Sequence, residues 1–448
     1  MQGKPQKSLT QKKFLPFMVA LIVILLIDIS FVRIYDLIEK NFISLQSKLL
    51  LFSISSSLCL LLQLYLIRYI RNSLKLDRLD KTLRVRFFYT VSLVSLCVLG
   101  SLIGLLIFQQ YYNNYYNSAL SIAIISISYG TAAALIIWLS LMFFSWYRST
   151  KNLIVLLYSL SMVVIAFNLI MTASFASIKV SERPYLVGAY IGGGGDISGG
   201  RHVVLDNIFK VSSFMSFFSI WITTAILMNY YREKLVNAVM YWLILSLPLV
   251  YFLITYFYQF FLAKMLISYL VIDPITVSII LSAFLSLSKP IGGLIFGAAF
   301  WKISKIISYE RNIRTYMIIS GWGILLIFAA NQAQAQVLAA YPPFGLATIT
   351  ILITAAYLMQ LGIYNSAILV SANNELRRSI HKHALESNLL GLIGQAEMEK
   401  EIQKTVKQVT GDRYELENDL KEPVELDEEE LEKYIDFVVR VVRKGTEH

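Results

Sequence analysis

Two cysteines and four histidines are too few to staple loops together or to build a metal centre in a chain of 448 residues. Cys59 and Cys97 both fall inside long apolar runs, and the histidines stand apart at His202, His381, His383 and His448. A disulfide framework is excluded, and so is a cysteine-based metal site; no cofactor or metal ligand set is expected. Charge is scarce too, at 15% of residues against about 25% in an ordinary soluble domain. Acid is scarcest in residues 1–370, with 11 Asp+Glu beside 28 Lys+Arg, while the remainder from Ser371 holds 18 and 12. Paired carboxylates, an activated nucleophile and a metal-ligand cluster are all missing from the loops, which argues against an enzyme.

Apolar residues fill the space instead. They make up 56% of the chain, and mean hydropathy is +0.61. A helix rises about 1.5 Å per residue, so roughly 20 apolar residues cross a hydrocarbon core of about 30 Å. Ten stretches qualify, at about 14–36, 47–69, 87–109, 119–146, 152–177, 207–230, 236–258, 275–301, 315–332 and 345–370. The expected fold is all-α: a polytopic transmembrane bundle over residues 1–370, followed by a helical cytoplasmic tail over 371–448.

Basic residues alternate between the gaps. The arm before span one carries Lys4, Lys7, Lys12 and Lys13, and the second gap has six basic residues from Arg71 to Arg86. The fourth, sixth and eighth gaps follow with Arg148 and Lys151, Arg232 and Lys234, and Lys302, Lys305, Arg311 and Arg314. Gaps 111–118 and 331–344 have none, the first and seventh only Lys40 and Lys264, and the fifth Lys179, Arg183 and Arg201. Basic loops stay in the cytoplasm, so both termini are expected there, in a cell membrane. Span one is then an uncleaved signal anchor. The net +11 of the chain reflects topology and anionic headgroups, and no nucleic-acid partner is expected.

Lipid does not explain a few residues. Asp28 and Lys289 lie inside spans, where a charge costs roughly 2.5–3.5 kcal/mol on insertion scales. Counting along spans one and eight sets them roughly 12 Å apart in depth, which argues against a direct pair. Two readings stay open: both snorkel to opposite interfaces, or at least one belongs to a functional polar site. Span eight starts with Asp273-Pro274 and continues through Lys289, Pro290, Gly292, Gly293 and Gly297. Pro290 is expected to kink it, and Gly293 and Gly297 form a face that lets another backbone come close. Asp28, Lys289 and Pro290 are therefore the candidate polar and kink site, with Gly293 and Gly297 the candidate packing positions.

Other features point to nothing catalytic. The glycine-rich fifth gap, Gly188–His202, lacks the strand and the Gly-Lys-Ser/Thr closure of a phosphate loop and reads as an extracytoplasmic connector. Tyr111, Tyr112, Tyr115 and Tyr116 read as an interfacial aromatic belt. An inverted repeat would need matched interruptions, yet span three has Gly100 and Gly104 but no proline to match Pro290.

In the tail, Leu376, Ile380 and Ala384 carry span ten onward as a helix, and Leu389, Ile393 and Ala396 continue the apolar spacing. The step to Ile402 breaks the phase, so an uninterrupted coiled coil is excluded, while a short one stays open. Asp427 and Glu430 form a capping box for a second helix over about 427–444. Self-association through 371–448, or a cytoplasmic protein partner, would cover these faces.

The stretches SLSKPIGGLIFGAAFW (286–301), YPPFG (341–345) and ELRRSIHKHALES (375–387) resemble an uncharacterised family of polytopic membrane proteins of ammonia-oxidising archaea. The likeness covers roughly residues 270–410 and implies an archaeal cell membrane; the family has no assigned activity, ligand or site residue. Three functions remain in contention. A sensor or signal relay is motivated by span ten running into the tail, a secondary transporter by Asp28, Lys289 and span eight, and a scaffold or assembly factor by the tail alone. The ligand is unknown.

Overall fold

A computed structural model describes residues 11–38, 45–74, 83–113, 117–181, 203–229, 238–257, 287–306, 311–331, 342–372, 389, 391–400 and 402. The glycine-rich gap, Asp273-Pro274, Tyr115, Tyr116, the stretch 373–388 and the expected helix at 427–444 lie outside the described residues. Among those described there is no strand. Ten helices follow in chain order: α1 (Gln11–Ile38), α2 (Leu45–Leu74), α3 (Leu83–Asn113), α4 (Ser118–Thr150), α5 (Leu153–Ser181), α6 (Val203–Asn229), α7 (Ala238–Phe257), α8 (Ser288–Ile306), α9 (Arg311–Ala330) and α10 (Leu346–Ala372). Residues 391–400 form a further helical stretch.

Local chemistry starts some of these helices. Asn117 Oδ1 accepts from Ala119 N–H (2.9 Å) before α4, and Asn152 Oδ1 accepts from Ile154 N–H (2.9 Å) before α5. Each satisfies an amide that the first turn would otherwise leave bare. Lys151, between the two helices, takes the left-handed conformation (φ 53°) that ends α4.

Seven helices, α2 to α6 with α9 and α10, are long and apolar enough to cross a membrane; α1 and α7 carry shorter apolar stretches, Phe14–Asp28 and Tyr241–Ile254. The protein is thus an all-helical, multi-pass integral membrane protein. Its outer surface fits that solvent. Leu15, Val19, Val23 and Leu26 on α1, and Leu50, Ile54, Leu58 and Leu61 on α2, are exposed at helical spacing. In water such stripes would be covered; in lipid they face a medium as apolar as themselves.

The chain divides into two compact units, Met1–Leu141 with Leu157–Asn365, and Met142–Leu156 with Ser366–His448. Within the first unit, pairs of side chains give the helix directions. Phe17 packs on Tyr65 and Tyr69 (4.9 and 5.7 Å between centroids), Ser95 meets Thr131 (3.4 Å), and Ser140 and Ser159 donate to each other's carbonyls (2.8 and 3.0 Å). On α5 and α6, Ser161 meets Thr223, Asn168 meets Ser212 and Phe175 meets Phe209. Rising numbers on one helix meet falling numbers on the next, so α5 and α6 are antiparallel. Trp221 Nε1 donates to Leu245 O and Tyr241 Oη to Ala225 O, which sets α7 antiparallel to α6.

The tightest packing joins α8, α9 and α10. A Cβ added at Gly297 would lie 2.5 Å from Gly321 O, and one at Gly293 would lie 2.9 Å from Phe328 Cβ. Trp301 Nε1 donates to Ile318 O (3.3 Å). Absent side chains therefore let α8 and α9 touch backbone to backbone. α9 meets α10 in the same way, with Gly323 against Ala355 and Met359, and Gly362 against Tyr316 and Ser320. Almost every residue of Leu346–Ser371 is buried, Ile368 and Leu369 being half-buried, so α10 is largely wrapped by its neighbours although its composition would suit lipid equally well. Beside these helices Phe217 stacks on Phe252 (4.4 Å), with Phe296 and Phe328 set edge-on to it (5.2 and 5.9 Å).

In the second unit, Leu389, Ile393 and Ala396 are buried, which is the stripe expected from their spacing. Trp146 Nε1 donates to Glu397 Oε2 (2.7 Å) and Lys400 Nζ to Ser145 Oγ (3.1 Å). Gly394 sits against Val370, where a Cβ would collide. The stretch 391–400 is thereby held to the end of α4 and the end of α10.

Candidate functional site

Two groups of buried polar side chains in the first unit form around Asp28 and Lys289. On α1, Asp28 is fully buried. Its Oδ2 accepts from Gly345 N–H (3.0 Å), from Thr348 N–H (3.2 Å) and from the Thr348 hydroxyl. Those amides are the bare donors at the start of α10, so a carboxylate from one helix caps another. Charge at this end of a helix dipole is favourable by up to about 2 kcal/mol when partly buried. Oδ1 of the same carboxylate accepts nothing among the described residues. Next to the cap, Gln63 on α2 donates to Thr350 Oγ1 (2.8 Å) and accepts from Thr354 Oγ1 (2.7 Å), tying α2 to α10.

Lys289 is only 4% exposed. Its ammonium lies over the Phe209 ring, 5.8 Å from the centroid, and Phe209 in turn stacks on Phe175. Alongside runs a chain of amides and hydroxyls: Asn331 Nδ2 donates to Asn168 Oδ1 (2.9 Å), and Asn168 Nδ2 donates to Ser212 Oγ (3.1 Å). Its members come from α5, α6 and the residue that follows α9.

Helix register brings the two groups level. Gly293 faces Leu325 and Phe328, and Gly297 faces Gly321; one turn further puts Lys289 beside Asn331. On the other side of α9, Gly323 faces Ala355 and Met359, and two turns further puts Asn331 level with Thr348. This corrects the offset in depth counted from the sequence. That count started span eight at residue 275, whereas the helix begins at Ser288 and Lys289 stands in its first turn. Being level does not make them a pair: among the described residues Lys289 contacts the Phe209 ring, and Asp28 is occupied by α10. Both side chains are buried within the protein.

Pro290 also falls in the first turn of α8, where its missing N–H costs no ladder bond. The sequence located Asp28, Lys289 and the two glycines but missed their companions Thr348, Gln63, Asn168, Ser212 and Asn331. The signal available was the amide side chains, since Gln63, Asn168 and Asn331 lie inside apolar runs, where each needs a partner. Among the described residues no three His, Cys, Asp or Glu side chains gather as metal ligands. No family model matches the chain, and no curated protein or solved structure matches it.

Proposed function

We propose that this protein is a membrane signal relay in which α10 carries a change in the buried polar layer to the tail. One observation carries the reading: α10 starts at the Asp28 cap and ends in the unit where 391–400 is clasped by Trp146 and Ser145. A continuous helix moves as a rod, so a shift at its capped end reaches the other end. The polypeptide crosses the bilayer ten times with both ends inside the cell; alternation of helix direction and of basic gaps supports this. The likeness to the archaeal family supports a cell membrane as its location. Residues 371–448 would then engage a cytoplasmic protein or a second copy.

The topology has a direct test. With Cys59 and Cys97 replaced by alanine, single cysteines at Ser118, Ser198 and Gln334 react with an impermeant thiol reagent on intact cells. Labelling at Ser73 or Ser149 would overturn the assignment.

The relay itself is tested by cross-linking Ser145→Cys to Lys400→Cys in the full chain, using a short bifunctional thiol reagent. Asp28→Asn is expected to change the yield by about twofold or more, because it perturbs the far end of α10. Equal yields with and without that substitution would remove the relay and put transport in front, a reading favoured by the buried Lys289, which has no carboxylate against it among the described residues. A scaffold is the remaining reading and rests on the tail alone.

A further inference from the structure

Lys289 is a cation held inside the bundle with no carboxylate against it among the described residues. An aromatic face offsets only part of such a charge, and a desolvated ammonium without a counter-ion is costly. Helix spacing sets near it hydrogen-bonding groups that have no partner among the described residues. Ser213 stands one turn from Phe209 on α6, and Thr172 stands one turn from Asn168 on α5. The hydroxyls of both are buried without a partner among the described residues, as is Asn331 Oδ1. The start of α8 adds the positive end of a helix dipole.

We propose that this layer binds a phosphate-type oxyanion, either free or as a lipid headgroup. Bare oxygens of such a group accept from the Lys289 ammonium and from the Thr172 and Ser213 hydroxyls. An oxygen that keeps its proton donates to Asn331 Oδ1, the acceptor left over. This deepens the relay reading by giving it a stimulus, and it is tested separately, because binding is read from stability and not from the tail.

The full chain in neutral detergent is melted in sodium phosphate and in sodium chloride of equal ionic strength. It is melted again in mixed micelles containing phosphatidic acid or phosphatidylcholine. Phosphate, phosphatidic acid or both raise the melting temperature by several degrees over their controls, since a ligand of the native state stabilises it by mass action. A response to phosphate points to a soluble anion, and a response to phosphatidic acid alone to a lipid. Lys289→Gln abolishes the shift, Lys289→Arg keeps it, and Thr172→Val, close to isosteric, reduces it even if Lys289→Gln fails to fold. No shift with either probe, or an equal shift in Lys289→Gln, overturns the proposal, as does an unchanged shift in Thr172→Val. A shift that arises only in Asp206→Asn, one turn before Phe209 in the α6 sequence, would mean that the charge is matched within the chain, and also overturns it.

Discussion

Gly297→Leu is expected to destabilise the detergent-solubilised protein by about 3 kcal/mol, the upper range for overpacking a close contact. The cause is geometric. The first atom of any side chain at this position would sit 2.5 Å from the carbonyl oxygen of Gly321, and backbone cannot swing aside as a flexible side chain can. α8 and α9 would have to separate, opening the contacts made by Gly293 and Trp301 as well. Gly297→Ala already introduces the clashing atom and should lose a smaller share of the same stability. Gly100→Leu is the control, because a Cβ there meets nothing within 4 Å and the new side chain joins an exposed face. Thermal melts of the three variants against the parent decide it. A Gly297→Leu protein that melts with the parent would mean that α8 and α9 are not in backbone contact.

Asp28→Ala is the second large effect. It strips the start of α10 of an acceptor used by two amides and one hydroxyl at a fully buried position. Leaving buried donors bare costs about 1–3 kcal/mol each way it is measured, so a loss of about 2–3 kcal/mol is expected. Asp28→Asn keeps one oxygen in place and should cost about 1 kcal/mol, near the value of an ordinary cap. Thr348→Val, which removes the hydroxyl and leaves both amide bonds, should fall below Asp28→Asn. The order Ala, Asn, Val in chemical or thermal denaturation is the signature of a cap. If Asp28→Ala and Asp28→Asn were equal, the negative charge and not the acceptor would be the stabilising feature.

Most helix positions, and the apolar stripe at 389–396, were readable from residues alone. Each of the ten apolar runs overlaps a helix among the described residues, and seven of those helices are long and apolar enough to cross a membrane. Gly293 and Gly297 marked a packing face by their spacing, and Leu389, Ile393 and Ala396 marked a buried stripe. The start of α8 was not readable. Apolar residues continue on both sides of Ser288, so the count along span eight put Lys289 in mid-helix and at the wrong depth.

Tertiary structure decided what meets what. Asp28 is anchored by residues 317 and 320 positions away, and nothing near Asp28 in the chain announces Gly345 or Thr348. Gly321 is the partner of Gly297, and α10 is the most enclosed of the membrane-length helices among the described residues, yet its composition resembles that of helices half open to lipid. The reason lies in the solvent. Lipid tails and protein interiors are equally apolar, so a run of Leu, Ile and Ala tells that a segment leaves water but not which side of it meets protein. Only polar groups distinguish the two surroundings, because only they must find partners, and their partners are supplied by helices that the chain reaches hundreds of residues later.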